Sequence, residues 1–223
     1  MSKINMYNMD CMEYMKSLPD NAYQLSICDP PYGIDINKSG RLGHYGGKGK
    51  SWDDAIPDDE YFTELFRVSK NQIIWGANYF KMPPTRCFVI WDKVQPETVS
   101  FASHEYAWTS FDKSAKCFYQ RPQNADPIRI HPTQKPVALY KWLLKNYAKP
   151  GDKILDTHGG SGSICIACYD MGFDLDWIEL DPDYYKAAVD RFNTHTAQGK
   201  LWGSDLEVLN KNNKKKKKID PIW

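Results

Sequence analysis

The fold class that this sequence predicts is α/β, a doubly wound and mostly parallel sheet, and three observations predict it. A short apolar run, Tyr23 to Cys28, stops at Asp29-Pro30-Pro31-Tyr32-Gly33. A glycine-rich turn, Gly159-Gly160-Ser161-Gly162, separates a strand-like segment from a helix-like one. From Pro136 to Phe192, helical and strand patterns alternate, as they do where crossover helices join parallel strands.

Proline lacks an N–H donor and fixes φ, so the chain at Pro30-Pro31 continues neither strand nor helix. Tyr23 to Cys28 therefore reads as a strand that delivers a rigid loop. The polar stretch Ile34 to Asp54 contains five glycines with Arg41, His44, Lys48 and Lys50, and reads as a loop. Asp58 to Val68 carries acidic residues in its first turn, as helix N-termini favour, and leads into a strand at Gln72 to Trp75. Arg86 to Trp91 and Glu105 to Phe111 are β-rich apolar runs, and the proline-interrupted Gln120 to Ile130 reads as a crossing loop. A helix over Pro136 to Tyr147 starts on proline and ends before Lys149-Pro150-Gly151. Then come a strand at Lys153 to Asp156, a helix at Ser163 to Met171, a strand at Leu175 to Leu180 and a helix at Pro182 to Phe192.

At 223 residues the chain holds one α/β core with a modest insertion rather than two domains. We read residues 1–210 as that domain and 211–223 as a lysine-rich tail. With 42% hydrophobic and 14% aromatic residues the body is expected to be packed. The net charge of +1 hides an asymmetry, because Lys211 and Lys214 to Lys218 are six of the basic residues and the other 23 face 28 acidic ones. The body would meet a nucleic acid through local basic patches, since it has no overall positive field. Six scattered cysteines read as reduced thiols. Nowhere do 18 apolar residues run together, and the first ten residues lack a signal peptide's apolar stretch. The expectation is a soluble, cytoplasmic chain with no membrane partner.

Two places carry chemistry. Asp156 stands at a strand end before Gly159, Gly160 and Gly162, and glycine lets a ligand approach the backbone closely. A tight strand-to-helix turn asks for the same residues. The next strand, however, ends in Glu179, followed by Asp181, about 23 residues after Asp156, and an acid there accepts hydrogen bonds from ribose hydroxyls. No lysine follows the glycines and Asp156 would repel a pyrophosphate, so the expected ligand is a nucleoside with a zwitterionic tail. S-adenosylmethionine fits, with Asp156 toward its amino group and Lys135 toward its carboxylate. The second place is Asp29 to Tyr32. The lone pair of an exocyclic amine on a nucleobase is delocalised into the ring, so a catalyst must localise it. Asp29 and the Pro30 carbonyl could each accept one amine hydrogen, held by Pro30 and Pro31, with Tyr32 stacking on a flipped base. A plain Pro-Pro turn reads equally well from these residues alone.

Asp29 to Tyr32, then His131-Pro132-Thr133-Gln134-Lys135-Pro136, then Asp156 to Ser163 recur in this permuted order in one family. From Lys3 to Phe192 the chain resembles the β-class DNA amino-methyltransferases of bacteria and phages. The resemblance implies a Rossmann-like S-adenosylmethionine-dependent fold and transfer of methyl to adenine N6 in DNA, in a restriction-modification setting. Aspartate rather than serine at position 29 is the family's usual mark of adenine over cytosine N4. The resemblance adds Asp10 and Cys11 at the cofactor's adenine edge and Thr133, Gln134 and Lys135 around its methionine tail, beside Asp29, Asp156, His158, Gly159, Gly160, Ser161, Gly162, Glu179 and Asp181. It implies DNA as partner and, since relatives often pair, a homodimer. No metal is expected, because a sulfonium methyl needs no Lewis acid; His104 and Glu105 lack a third ligand at suitable spacing.

Two departures stand out. Where the family has Asp-Pro-Phe, this chain has Asp156-Thr157-His158, so an aromatic wall is lost or supplied by His158. Only 98 residues separate Tyr32 from His131, which leaves no room for a separate recognition domain. Residues 34–54 and 112–130 are therefore expected to read the DNA, with Arg41, Lys48, Arg121 and Arg129 as contacts. The alternatives are cytosine N4 in DNA, adenine in RNA, or a catalytically silent nucleic-acid-binding subunit of the same fold.

Overall fold

A computed structural model describes residues 2–34, 53–96, 98, 102–122 and 129–198. Eight strands form one sheet in the order β1-β8-β7-β2-β3-β5-β4-β6. They are β1 (Ile4–Asn8), β2 (Leu25–Cys28), β3 (Gln72–Trp75), β4 (Phe88–Asp92), β5 (His104–Thr109), β6 (Lys116–Tyr119), β7 (Lys153–Asp156) and β8 (Asp174–Glu179). The helices are α1 (Cys11–Lys16), α2 (Asp59–Val68), α3 (Val137–Tyr147) and α4 (Ser163–Met171), and a fifth, α5, spans the described residues 182–198. Every described pairing is parallel except those of β5, which runs against β3 and β4.

The central strands are buried on both faces and alternate between two cores, as a period of two requires. Ile27, Ile73, Ile154 and Trp177 face α3 and α4 through Leu139, Leu143, Ile164 and Cys168. Their neighbours Cys28, Ile74, Leu155 and Ile178 face α1 and α2 through Met15, Tyr61, Leu65 and Val68. α2 starts on an Asp58 cap, whose carboxylate accepts the Tyr61 N–H at 2.9 Å. α4 starts on Gly162 and ends on Gly172, both left-handed, a conformation that glycine adopts without strain.

β2 and β7 are neighbours, yet the chain leaves β2 through α2 on one face and leaves β7 through α4 on the other. A crevice opens at such a reversal, beyond the carboxyl ends of the strands. Asp29 follows β2, Thr157 follows β7, and Glu179 ends β8 at this edge. Because β5 is antiparallel, its first residues, His104 and Glu105, arrive there too. The expected doubly wound, mostly parallel sheet is present. β1, α1 and β6 add to the elements foreseen, and β6 places an edge strand inside the segment 112–130 that is expected to read the DNA. No helix among the described residues is long and apolar enough to cross a membrane.

Candidate active site

Two cavities meet at the switch point. The larger, about 410 Å³, is bordered by Asp29, Pro30, Pro31, Tyr32, Asn78, Tyr79 and Glu105. The smaller, about 240 Å³, is bordered by Asp10, Cys11, Gln134, His158, Gly159, Gly160, Ser161 and Glu179. Asp29, Pro31, Thr133 and Lys135 border both. The loops around Pro31 and Thr133 are far apart in sequence but form one wall.

Asp29 lies at the centre of that wall. Its Oδ1 accepts the Tyr32 hydroxyl at 2.5 Å, and its Oδ2 is ion-paired with Lys135 Nζ. Burial pushes the Asp29 carboxyl above its ordinary range, and the Lys135 ammonium works against that shift. Burial alone would lower Lys135, but the Asp29 and Glu105 carboxylates outweigh it and hold its ammonium charged. Asp53, 3% exposed, fixes the loop by accepting the backbone N–H groups of Tyr32 and Gly33 at 2.8 and 3.1 Å. The Tyr32 ring packs on Gly76, where any Cβ would overlap it, and stacks on Tyr79 with centroids 5.0 Å apart.

The smaller cavity is acidic. Glu179 is braced at the tip of β8, with Oε2 accepting the Gly160 N–H at 2.7 Å and Oε1 the Asp181 N–H at 2.8 Å. Burial raises the Glu179 carboxyl, and these N–H groups partly offset the rise. Asp156 lies behind the lining, 2% exposed, and accepts the His158 N–H at 3.1 Å. Burial pushes its carboxyl up to about 8. His158 occupies the position of the lost phenylalanine, with its ring edge-on to Tyr61 at 5.1 Å. Burial brings its imidazole down to about 4, so at neutral pH it is uncharged, and its Nδ1 lies 3.0 Å from Thr157 Oγ1 and 3.4 Å from the Tyr61 hydroxyl.

The remaining residues singled out from sequence take these places. Asp10 Oδ1 caps α1, accepting from Met12 N at 2.7 Å and Glu13 N at 3.1 Å. Asp181 caps α5 in the same way, and Gly162 caps α4, so both stand just outside the cavity lining. Gln134 Oε1 accepts the Ile130 N–H at 3.0 Å. Arg121 Nε donates to the Val94 carbonyl at 3.0 Å, and Arg129 donates to the carbonyls of His131 and Pro132. Arg41, Lys48 and the tail 211–223 lie outside the described residues. Sequence reasoning missed Asp53, Lys93 and Tyr140, placed His131 in a motif without giving it a role, and weighed Glu105 only as a metal ligand. Glu105 instead pairs with Lys93 at 2.7 Å and Lys135 at 3.1 Å. Trp75 to Phe80, directly after a predicted strand, reads from sequence either as core or as lining of the target pocket, and Gly76, Asn78 and Tyr79 of this segment border the larger cavity. No cluster of metal-ligating side chains occurs among the described residues.

Strand order, switch point and paired cavities define a class: a Rossmann-like α/β scaffold with two adjoining sites on one strand edge. Solved structures share this fold. The Thermus thermophilus protein TTHA0409, a DNA modification methylase by its description, was solved with S-adenosyl-L-methionine; it matches 87% of this chain and 94% of its own at 18% identity and a TM-score of 0.53. The cytosine-N4-specific PvuII DNA methyltransferase matches 86% of both chains at 14% identity and a TM-score of 0.59. In sequence, the Escherichia coli K12 protein YubD, designated a methylase, is 26% identical over 204 residues, 82% of this chain and 87% of its own. The N6/N4 DNA methylase family model matches residues 74–190, just over half of the chain, and the chain belongs to that family.

Proposed function

We propose that this chain transfers the methyl group of S-adenosylmethionine to the exocyclic N6 amine of adenine in DNA. The observation that carries the reading is the position of Asp29, a carboxylate on the wall shared by two cavities, one suited to a nucleobase and the other to a cationic nucleoside. The residues of the smaller cavity fit S-adenosylmethionine chemically. Glu179, held by two backbone N–H groups, has its remaining lone pairs available to ribose hydroxyls. Asp10 adds negative charge for an ammonium, Asp156 gains its own when an arriving cation expels its proton, and the Lys135 charge is already balanced by Asp29 and Glu105. When bound there, the cofactor supplies an electrophilic methyl group.

The chain's own part is to prepare the nucleophile. Asp29 Oδ1 and the Pro30 carbonyl each accept a hydrogen of the amine, which concentrates its lone pair toward the smaller cavity. The amine takes the place that the Tyr32 hydroxyl now holds on Oδ1. The Tyr32 ring, fixed by Gly76 and Tyr79, offers its stacking surface to the base. Asp29, which burial makes more basic, receives the proton that the methylated amine sheds. Binding the reactants side by side removes most of the entropic cost of their encounter. Arg41, Lys48, Arg121 and Arg129 are proposed to meet the DNA, and two copies of the chain to pair on it.

Asp29→Ala is expected to abolish transfer of labelled methyl to DNA while calorimetry shows cofactor affinity within about threefold of the wild type. Near-full turnover by this variant would refute the role. Nucleoside mass spectrometry of the wild-type product is expected to give N6-methyladenine. N4-methylcytosine would overturn the choice of base but not of reaction.

A further inference from the structure

Glu105 belongs to none of the three motifs, yet it is ion-paired with Lys135. It arrives at the active edge because β5 runs antiparallel. Its Oε1 lies 2.7 Å from Lys93 Nζ, at the end of β4, and its Oε2 lies 3.1 Å from Lys135 Nζ. Lys135 in turn holds Asp29 Oδ2. Lys93, Glu105, Lys135 and Asp29 thus form a row of alternating charge along the larger cavity. The Lys135 side chain is only 2% exposed. Without Glu105, its flexible stem would be free to bring the ammonium across both Asp29 oxygens.

We propose that Glu105 is a positioning residue for methyl transfer: tethered by Lys93, it keeps Lys135 on Oδ2 of Asp29 and so reserves Oδ1 for the substrate amine. The inference rests on the reading of Asp29 as the amine's acceptor. Two pulls on one ammonium, from carboxylates on different strands, fix its position better than either would alone.

The row also sets charge at the site. The groups that face Asp29 are Tyr32 on its own loop, Lys135 before α3, Glu105 on β5, Tyr140 on α3 and Asp156 on β7, while Lys93 and His104 border Glu105. Glu105 opposes ionisation of Asp29, whereas Lys135 favours it. Removing the Glu105 charge therefore lets Asp29 ionise at lower pH. Removing the Lys93 charge acts in the opposite direction.

The test is the pH profile of methyl transfer by the full chain. Glu105→Gln is expected to lower kcat on the order of 10- to 100-fold, with KM for cofactor and DNA little changed. The acid limb of its kcat/KM profile should move down by about one pH unit. Glu105→Asp, which keeps the charge, should return the limb to its wild-type position, and Lys93→Gln should move it upward. A Glu105→Gln enzyme with wild-type kcat overturns the proposal, as does a fall in kcat with an unmoved limb. If Glu105→Gln does not fold, an unmoved limb in Lys93→Gln is the overturning result. A wild-type chain that methylates no DNA overturns the underlying reading and this one with it, whereas an active wild type with insensitive variants overturns this one alone.

Discussion

Asp29 and Asp156 are two buried aspartates whose neighbours treat them differently. Asp29 faces an ammonium and a hydroxyl, whereas Asp156 receives one backbone N–H, from His158, and feels the carboxylates of Asp29 and Glu179. Burial, more than those carboxylates, raises Asp156 to about 8 from an ordinary 3.8. Between these values the folded chain holds a proton that the unfolded chain has lost, so stability declines as pH rises through that window. A cation seated beside Asp156 would reverse the preference and expel the proton. We expect S-adenosylmethionine binding at pH 7 to release close to one proton, seen as a dependence of calorimetric heat on buffer ionisation enthalpy. Asp156→Asn should abolish that dependence, and buffer-independent heats in the wild type would show that Asp156 is already ionised or faces no cation.

The turn between β7 and α4 depends on what lies beneath it as much as on what binds above it. A Cβ at Gly159 would overlap the indole of Trp177, which is fully buried and cannot withdraw. Gly159→Ala is expected to cost about 1–3 kcal/mol by overpacking, measured as a shift in the urea midpoint; an unchanged midpoint would mean that Trp177 can move. This glycine was legible in the sequence as a point of close approach, though the sequence could not name the indole that demands it. Legibility followed the same line elsewhere. Strands buried on both faces, such as Gln72–Trp75, stood out as apolar runs, and the loops after β2 and β7 stood out through proline and glycine. β1 is half-buried and mixes apolar residues with Asn5 and Asn8, α1 has six residues and starts on its Asp10 cap, and β6 is a short edge strand. Each falls below the length or contrast that periodicity can register. Lys135 was read as a partner of the cofactor tail, and its pairing with Asp29 and Glu105 was invisible because those residues come from three separate stretches of chain.

At the scale of the molecule, charge is distributed unevenly. With its six tail lysines left out, the chain carries 23 basic and 28 acidic residues, so its attraction to a polyanion depends on where cations are placed. Truncation after Asn210 is expected to flatten the plot of log DNA affinity against log salt by about 0.9 for each tail lysine that contacts phosphate. An unchanged slope in titrations at several salt concentrations would assign the tail no part in binding. The partition between the two cavities has its own consequence. Because Asp29, Pro31, Thr133 and Lys135 border both cavities, a single synthetic molecule could span the two, with an aminonucleoside at one end and a purine at the other, joined by a short tether. Such a hybrid would gain from both halves at once and should inhibit far more tightly than either fragment given separately.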